Sequence, residues 1–367
     1  MTSMVTHFHL ASDIVTKSIN LIARACFLLA LFLSTEYLTA SDIDYKYETE
    51  SVTSLGDAAD DPAIWFNKSN PTQSLIFGTD KRKGIHVYDI YGNELAFSGQ
   101  GATNNIDLRV INEDVHLVVS NRTLSTLDYW VFPEENLFAY FKSNTSDPFS
   151  EDVIHHHLKA NMNVYGVCMG IIDGKPYAAL TEEEGPTIQL WDLTSKQVIN
   201  SLDITADETN VPKSGNEAEG CVFDDENKHL LISREGAKGY LKAFKSDSLD
   251  MISVVDSRDS NIVGDPEGVA IYKTSENGGY IILSSQGGNE FNLYDRQNLQ
   301  FIDKFEINGV EDTDGLDVTN QTIEGIFPDG FLVVQDGRNL PNNQNFKIIS
   351  MEEVLKKKKL SHPGSIH

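Results

Sequence analysis

Asp61-Pro-Ala-Ile-Trp65 places a polar residue at the very start of a short apolar run. The arrangement returns as Asn105-Ile-Asp-Leu-Arg109, Tyr165-Gly-Val-Cys168, Glu219-Gly-Cys-Val-Phe223, Glu267-Gly-Val-Ala-Ile271 and Asp314-Gly-Leu-Asp-Val318. The intervals are 44, 60, 54, 48 and 47 residues. Strand-forming repeats of roughly 40–50 residues mark a propeller, so the expected fold is all-β, a six-bladed β-propeller. Equivalent positions of every blade face one central channel. The six polar groups should therefore meet in a ring, and four of them are carboxylates. Like charges held together repel and raise one another's pKa. Such a ring becomes stable when it holds hard cations, and calcium takes oxygen ligands of this kind.

Strand signals fill the rest of each repeat. Gly84-Ile-His-Val-Tyr-Asp89, Leu127-Asp-Tyr-Trp-Val-Phe132, Thr187-Ile-Gln-Leu-Trp-Asp192, Tyr240-Leu-Lys-Ala-Phe-Lys245 and Phe291-Asn-Leu-Tyr-Asp295 alternate or carry β-branched and aromatic residues before turn residues. Their aromatics read as packing between blades. A helical period stands out only at Ser350-Met-Glu-Glu-Val-Leu-Lys356, and Lys356-Lys-Lys-Lys359 reads as a solvated, frayed end. No linker divides residues 45–350. Residues 1–40 read as an export segment: Lys17 and Arg24 precede the apolar core Ala25–Leu33, which is short for a membrane span, and Ala40 offers a cleavage point. The charged stretch before that core is long for a signal peptide, so a start at Met4 or retention as an anchor stays open. The expected organisation is 1–40 export segment, 41–350 propeller and 351–367 helix end with basic tail, and the location is secreted or periplasmic. Cys168 and Cys221 read as two buried thiols, with a disulfide as the alternative.

The chain has 29 basic and 55 acidic residues in 367, a net charge of −26. That balance argues against a nucleic-acid partner, which wants a basic stripe. A polyanionic substrate remains compatible where metal ions intervene. Three clusters carry candidate chemistry. Asp57, Asp60 and Asp61 lie within five residues, before a strand. Glu219 and Glu235 stand on successive strands of one repeat, with Asp265 and Glu267 in the next. Lys81-Arg-Lys83 and Arg122 are basic loop residues in an acidic chain, suited to phosphate oxygens. No Gly-x-Ser-x-Gly elbow occurs. His155-His-His157 reads as a loop whose rings point apart, and Gly278-Gly279 and Gly287-Gly288 read as turns.

Taken together, Asp57-Ala-Ala-Asp-Asp-Pro-Ala-Ile-Trp65, Asn104-Asn-Ile-Asp-Leu-Arg109, Ser120-Asn-Arg122, Val164-Tyr-Gly166, Glu219-Gly220, Asp265-Pro-Glu-Gly268, Ser284-Ser-Gln-Gly287, Asp312-Thr-Asp-Gly-Leu-Asp317 and Gln335-Asp-Gly337 with Asn343-Gln-Asn-Phe-Lys347 resemble the β-propeller, alkaline phytases. The resemblance runs in order over roughly residues 45–350. It implies a hydrolase of the 3-phytase type that needs several Ca2+ ions and releases phosphate from myo-inositol hexakisphosphate, phytate. In that family calcium ions at the channel mouth hold the phosphates and activate a bridging water. It implies Asp60, Asp61, Glu219, Glu267 and Asp314 at the catalytic calcium centre, and Lys81, Arg82, Arg122 and Tyr165 on substrate phosphate. Tyr165 also counts among the catalytic positions. Asp57, Asn105, Ile106 (through its carbonyl) and Asp336 resemble structural calcium ligands. Glu235 and Asp265 resemble further acidic ligands, Glu235 also beside substrate. A monomer with no stable membrane span after processing is expected.

Two departures stand out. Glu183 occupies a position where the family often has a lysine for a second phosphate. The loop before Asp312 is shorter than in Bacillus-type members, which implies a missing structural ligand and weaker calcium-dependent stability. Two alternatives stay open: another six-bladed propeller metallohydrolase, lactonase-like, with one channel metal, or a non-catalytic calcium-binding propeller. Both fit the clustered acids and basic loops less well.

Overall fold

The first described strand, β1 (Tyr47–Glu48), is two residues long and pairs with the last described strand. The computed structural model describes residues 43–143, 147–149, 153–209 and 217–363, so the export segment lies outside the described residues. Between its ends the chain forms six four-stranded antiparallel sheets. Blade 1 comprises β2 (Ala59–Trp65), β3 (Leu75–Asp80), β4 (Gly84–Asp89) and β5 (Glu94–Ser98). Blade 2 comprises β6 (Thr103–Ile111), β7 (Asp114–Asn121), β8 (Thr126–Pro133) and β9 (Ile154–Lys159). A short helix, α1 (Leu137–Ser143), interrupts the connection from β8 to β9. Blade 3 comprises β10 (Val164–Ile172), β11 (Lys175–Glu182), β12 (Thr187–Asp192) and β13 (Gln197–Asp203). Blade 4 comprises β14 (Cys221–Asp224), β15 (His229–Arg234), β16 (Tyr240–Lys245) and β17 (Met251–Ser257). Blade 5 comprises β18 (Asp265–Lys273), β19 (Gly279–Gln286), β20 (Glu290–Asp295) and β21 (Phe301–Phe305). Blade 6 comprises β22 (Leu316–Thr319), β23 (Phe331–Asp336), β24 (Asn345–Ser350) and, outermost, β1.

The first strand of each blade touches the first strand of the next, and β22 returns to β2, which closes the ring. Period-two alternation gives each sheet two apolar faces, and the hydrophobic core is divided accordingly. Six buried clusters lie between consecutive blades, including Trp130 and Phe132 between blades 1 and 2, Trp191 between 2 and 3, and Tyr294 between 4 and 5. The strand aromatics do pack between blades.

Three readings change. The histidine run is the strand β9, not a loop. Cys168 of β10 and Cys221 of β14 are joined in a disulfide, with Cα atoms 5.6 Å apart. Adjacent inner strands run side by side around the channel, so residues 53 apart in sequence face each other. The lysine run belongs to the last turn of α2 (Met351–Lys358) rather than to a frayed end. Met351, Val354 and Leu355 fall on one face of α2 and are buried against Leu332 and Ile349. The lysines complement the negative helix terminus.

Candidate active site

A bulge at the start of the inner strands builds the site. In β2 the ladder passes from Ala59 opposite Asp80 to Pro62 opposite Gly78, skipping Asp60 and Asp61. The same two-residue interruption removes Asn104 and Asn105 from β6, Tyr165 and Gly166 from β10, and Glu267 and Gly268 from β18. A bulge turns its side chains out of the sheet's alternation. In blades 4 and 6 the corresponding pairs, Glu219-Gly220 and Asp314-Gly315, come just before the strand. The repeated position is therefore Asp60, Asn104, Tyr165, Glu219, Glu267 and Asp314. In the first two blades it falls one residue earlier than Asp61 and Asn105, because those repeats carry a side chain where the others carry glycine.

The glycines are needed for closure. A Cβ on Gly166 would stand 1.9 Å from the carbonyl oxygen of Glu219, and one on Gly220 would stand 2.1 Å from that of Glu267. On Gly315 it would meet Asp61 Oδ1 at 2.2 Å. Buried hydroxyls of the second strands complete the seam. Thr79, Ser120 and Thr181 accept the amides of Asp61, Asn105 and Gly166 at 2.9, 3.0 and 2.7 Å. Ser120, Ser233 and Ser284 in turn donate to the carbonyls of Tyr165, Glu267 and Asp314. Gln335 does the same work in blade 6, accepting from Asp314 N at 2.9 Å and donating to the Ala59 carbonyl at 3.1 Å.

The ring side chains meet at the channel mouth. Carboxylate oxygens of Glu219, Glu235 and Glu267 lie within 4.8 Å of one another. Glu235 follows β15 and Glu219 precedes β14, so the two stand at one end of a strand pair. Asn104 Nδ2 donates to Glu219 Oε1 at 3.0 Å, and the Tyr165 hydroxyl donates to Glu219 Oε2 at 3.2 Å. Lys81 Nζ lies 2.9 Å from Asp314, 2.8 Å from Asp57 and 3.8 Å from Asp60. Gln286 also donates to Asp314. Both oxygens of Asp60, Oε1 of Glu235 and Oε2 of Glu267 are buried with no hydrogen-bond partner among the described residues.

Burial sets the electrostatics. It holds Asp60 and Glu267 well above the ordinary carboxylate range, Glu267 being raised further by Glu219. Burial and then Glu219 push Glu235 up to about 10. Asp314 rises to about 6, by burial that Lys81 partly offsets. Glu219 is also buried, yet hydrogen bonds from Glu267 and the charge of Lys81 bring it below its usual value. Tyr165 is raised first by Glu219 and then by burial, so its hydroxyl stays protonated and acts as a donor. Lys81, though buried, is raised by Asp60 and Asp314 and stays charged.

The remaining sequence-derived positions fall into separate places. Arg122 lies over the Tyr165 ring at 5.5 Å, donates to Asn104 Oδ1 at 3.2 Å and forms an ion pair with Glu183. Arg82 is turned to the Asp57 carbonyl, 2.9 Å away, and touches no ring carboxylate in the described contacts. Asp265 pairs with Arg258 and accepts the Gly236 amide at 2.9 Å. Asp57, Asp265 and Asp314 line one cleft at the mouth, together with Gln286, Asp312 and Arg338. Asp61, Asn105 and Ile106 instead line a cavity of about 370 Å³ within the channel, beside Asp107, Arg109 and Asp317. There Asp61 Oδ2 accepts the Ile106 amide at 3.2 Å. Asp336 is engaged by Lys347 at 3.3 Å and by the Glu311 and Arg338 amides. Asp57, the pair Asn105 and Ile106, and Asp336 share no described hydrogen bond or ion pair.

Sequence reasoning missed Asn104, Gln286 and Arg258 as site residues. Asn104 was hidden by the bulge offset. Gln286 stood inside a quoted motif, but its partner Asp314 is 28 residues away. No local signal distinguishes Arg258.

The family model described as Phytase matches residues 12–363. A 3-phytase of Bacillus subtilis (strain 168) is 32% identical over 327 residues, covering 84% of this chain and 83% of that protein. Among solved structures, the luciferin-regenerating enzyme aligns with TM-score 0.54 at 12% identity, over 82% of this chain and 94% of the other. The PQQ-bound aldose sugar dehydrogenase of Streptomyces coelicolor aligns with TM-score 0.52 at 13% identity, over 84% and 98%. At such identities these two structures speak to the fold alone. A match spanning nearly the whole chain, with a relative about one-third identical over most of its length, shows that the chain belongs to the phytase family.

Proposed function

We propose that this protein is a calcium-dependent 3-phytase that releases phosphate from phytate at the channel mouth, and that it acts outside the cytoplasm after loss of residues 1–40. The observation that carries the reading is the set of buried oxygens on Asp60, Glu235 and Glu267 that no hydrogen bond satisfies among the described residues, beside Glu219 and Asp314. Buried charges persist when paired or when they ligate a cation, and an all-oxygen donor set suits calcium. Asp60, Glu219, Glu235, Glu267 and Asp314 would hold the ions. Bound calcium supplies positive charge for phosphate oxygens and a more acidic coordinated water.

The chain's own residues do the rest. Lys81, held by Asp57, Asp60 and Asp314, brings a permanent ammonium to the cleft. Arg122 is pre-oriented by Tyr165 and Asn104 and presents a guanidinium that can take two phosphate oxygens at once. Tyr165 and Asn104 together aim both oxygens of Glu219. All these residues come from one chain, so the reading needs no second copy. The Cys168–Cys221 bond supports an oxidising compartment.

Phosphate release from calcium phytate, with and without chelator, tests the reading. Chelation should abolish turnover and added calcium should restore it. Glu219→Gln, which removes charge with little change of shape, should lower turnover by about two orders of magnitude while folding is kept. Full activity after complete metal removal would overturn it.

A further inference from the structure

The pairing of β8 with β9 places Asp128 opposite His157 and Trp130 opposite His155. Successive strand residues alternate faces, so His155 and His157 share one face with Asp128 while His156 turns to the other, near Tyr129. One ring nitrogen of each histidine and an oxygen of Asp128 lie within 4.8 Å of one another. His157 Nδ1 is 2.6 Å from Asp128 Oδ1. Asp128 is fully buried and fixed by Thr126 at 2.6 Å and Asn121 at 2.9 Å. His155 stacks on Trp130 at 4.4 Å, and its Nε2 is buried without a hydrogen-bond partner among the described residues.

We infer that Asp128, His155 and His157 form a second metal site, on the outer strands of blade 2, for a late first-row divalent cation such as zinc. Two imidazoles and one carboxylate suit zinc and leave a position for water, whereas calcium takes oxygen ligands. The site is therefore chemically distinct from the oxygen donors at the mouth, which include no imidazole in the described contacts. Thr126 and Asn121, which donate to Asp128, are the kind of partners that orient a metal-ligating carboxylate. Ligand atoms of a tetrahedral zinc stand about 3.3 Å apart, so the cation replaces the proton between His157 and Asp128 with an opening of under ~1 Å. Its structural effect would be to clamp β9 to β8. That fixes the return of the connection that contains α1 and Phe149, which pack on Trp130 and Phe132.

The test is zinc titration by calorimetry of the full chain in excess calcium, with cobalt(II) absorption as a spectroscopic reporter. The parent protein should bind about one zinc that His157→Ala does not, and cobalt should show ligand-field bands that the variant lacks. The His157 side chain is 45% exposed, so this variant should fold, and unchanged calcium-dependent phosphate release checks that it does. His155→Ala should likewise lose the site. Zinc should raise the melting temperature of the parent only, since ligand that binds the folded state stabilises it. Identical zinc isotherms for parent and His157→Ala, or cobalt spectra that do not differ, would overturn the site. Loss of phosphate release with zinc binding intact would count against the phytase reading instead.

Discussion

Glu183 sits on Arg122, the arginine proposed above to meet phosphate. Its carboxylate pairs with the Arg122 guanidinium, and both side chains are about one-third exposed, so the pair is partly screened. A substrate phosphate must displace Glu183 or share the arginine with it. Removing that competition should help binding. Glu183→Gln is expected to lower the KM for phytate roughly fivefold, equivalent to about 1 kcal/mol, the upper end for such a pair. Glu183→Lys should go further for phytate, by adding a cation beside a second phosphate, and barely change a simple monoester. Steady-state kinetics on both substrates check this; an unchanged phytate KM in both variants would mean that the ion pair opens at no cost. The presence of these residues was legible in the sequence. Their pairing was not, because Arg122 and Glu183 belong to different blades, and only the closed ring brings positions 61 apart together.

At the scale of the strand, the bulge and the glycine after it decide whether the blades can approach. Gly166 does not stand at positive φ, so alanine there tests contact: its Cβ would lie 1.9 Å from the Glu219 carbonyl oxygen. Gly166→Ala should cost about 2 kcal/mol or more by overpacking, and should also disturb the aim of Glu219. Gly99 is a fair control, since a Cβ there meets nothing nearer than 4.0 Å. Chemical denaturation of both variants decides it; equal midpoints would mean the seam is looser than drawn. The apolar runs showed the blades because burial between sheets imposes alternation on every repeat. The bulge was invisible to that pattern, since one extra residue shifts a motif without changing its composition. The histidine strand was misread for a related reason. Polar residues mask a strand's period, and only pairing with β8 shows that His155 and His157 face the same way. The disulfide needed the ring itself, because neighbouring inner strands are far apart in sequence.

For the whole molecule, the calcium sites proposed above draw on the same oxygens that bind protons. Asp314 is raised to about 6 and Glu235 to about 10, with Asp60 and Glu267 raised as well. A carboxyl raised in the folded state binds more protons there than in the unfolded chain, so its stabilisation is present at low pH and lost as pH rises through the folded value. Chelated protein should therefore lose stability from about pH 4, where these carboxyls titrate in the unfolded chain, up to about pH 10. Glu219 is lowered and acts in a more acidic range, while Lys81 is raised and stays charged throughout the window. Calcium takes the place of the missing protons, so the gain in melting temperature on adding calcium should widen across the same range. Thermal melts at several pH values with and without chelator measure it, and a gain independent of pH would contradict the proton–calcium exchange. The ring that gathers these oxygens is itself held shut by β1, whose two residues, Tyr47 and Glu48, pair with Ile348 and Lys347. This latch joins the opening of the described chain to its last strand. Asp314 reaches the cation site from the very blade that the latch completes. During synthesis, a chain that has delivered five blades is thus an open horseshoe whose circle of ring residues lacks Asp314, and that circle closes only with the final strand.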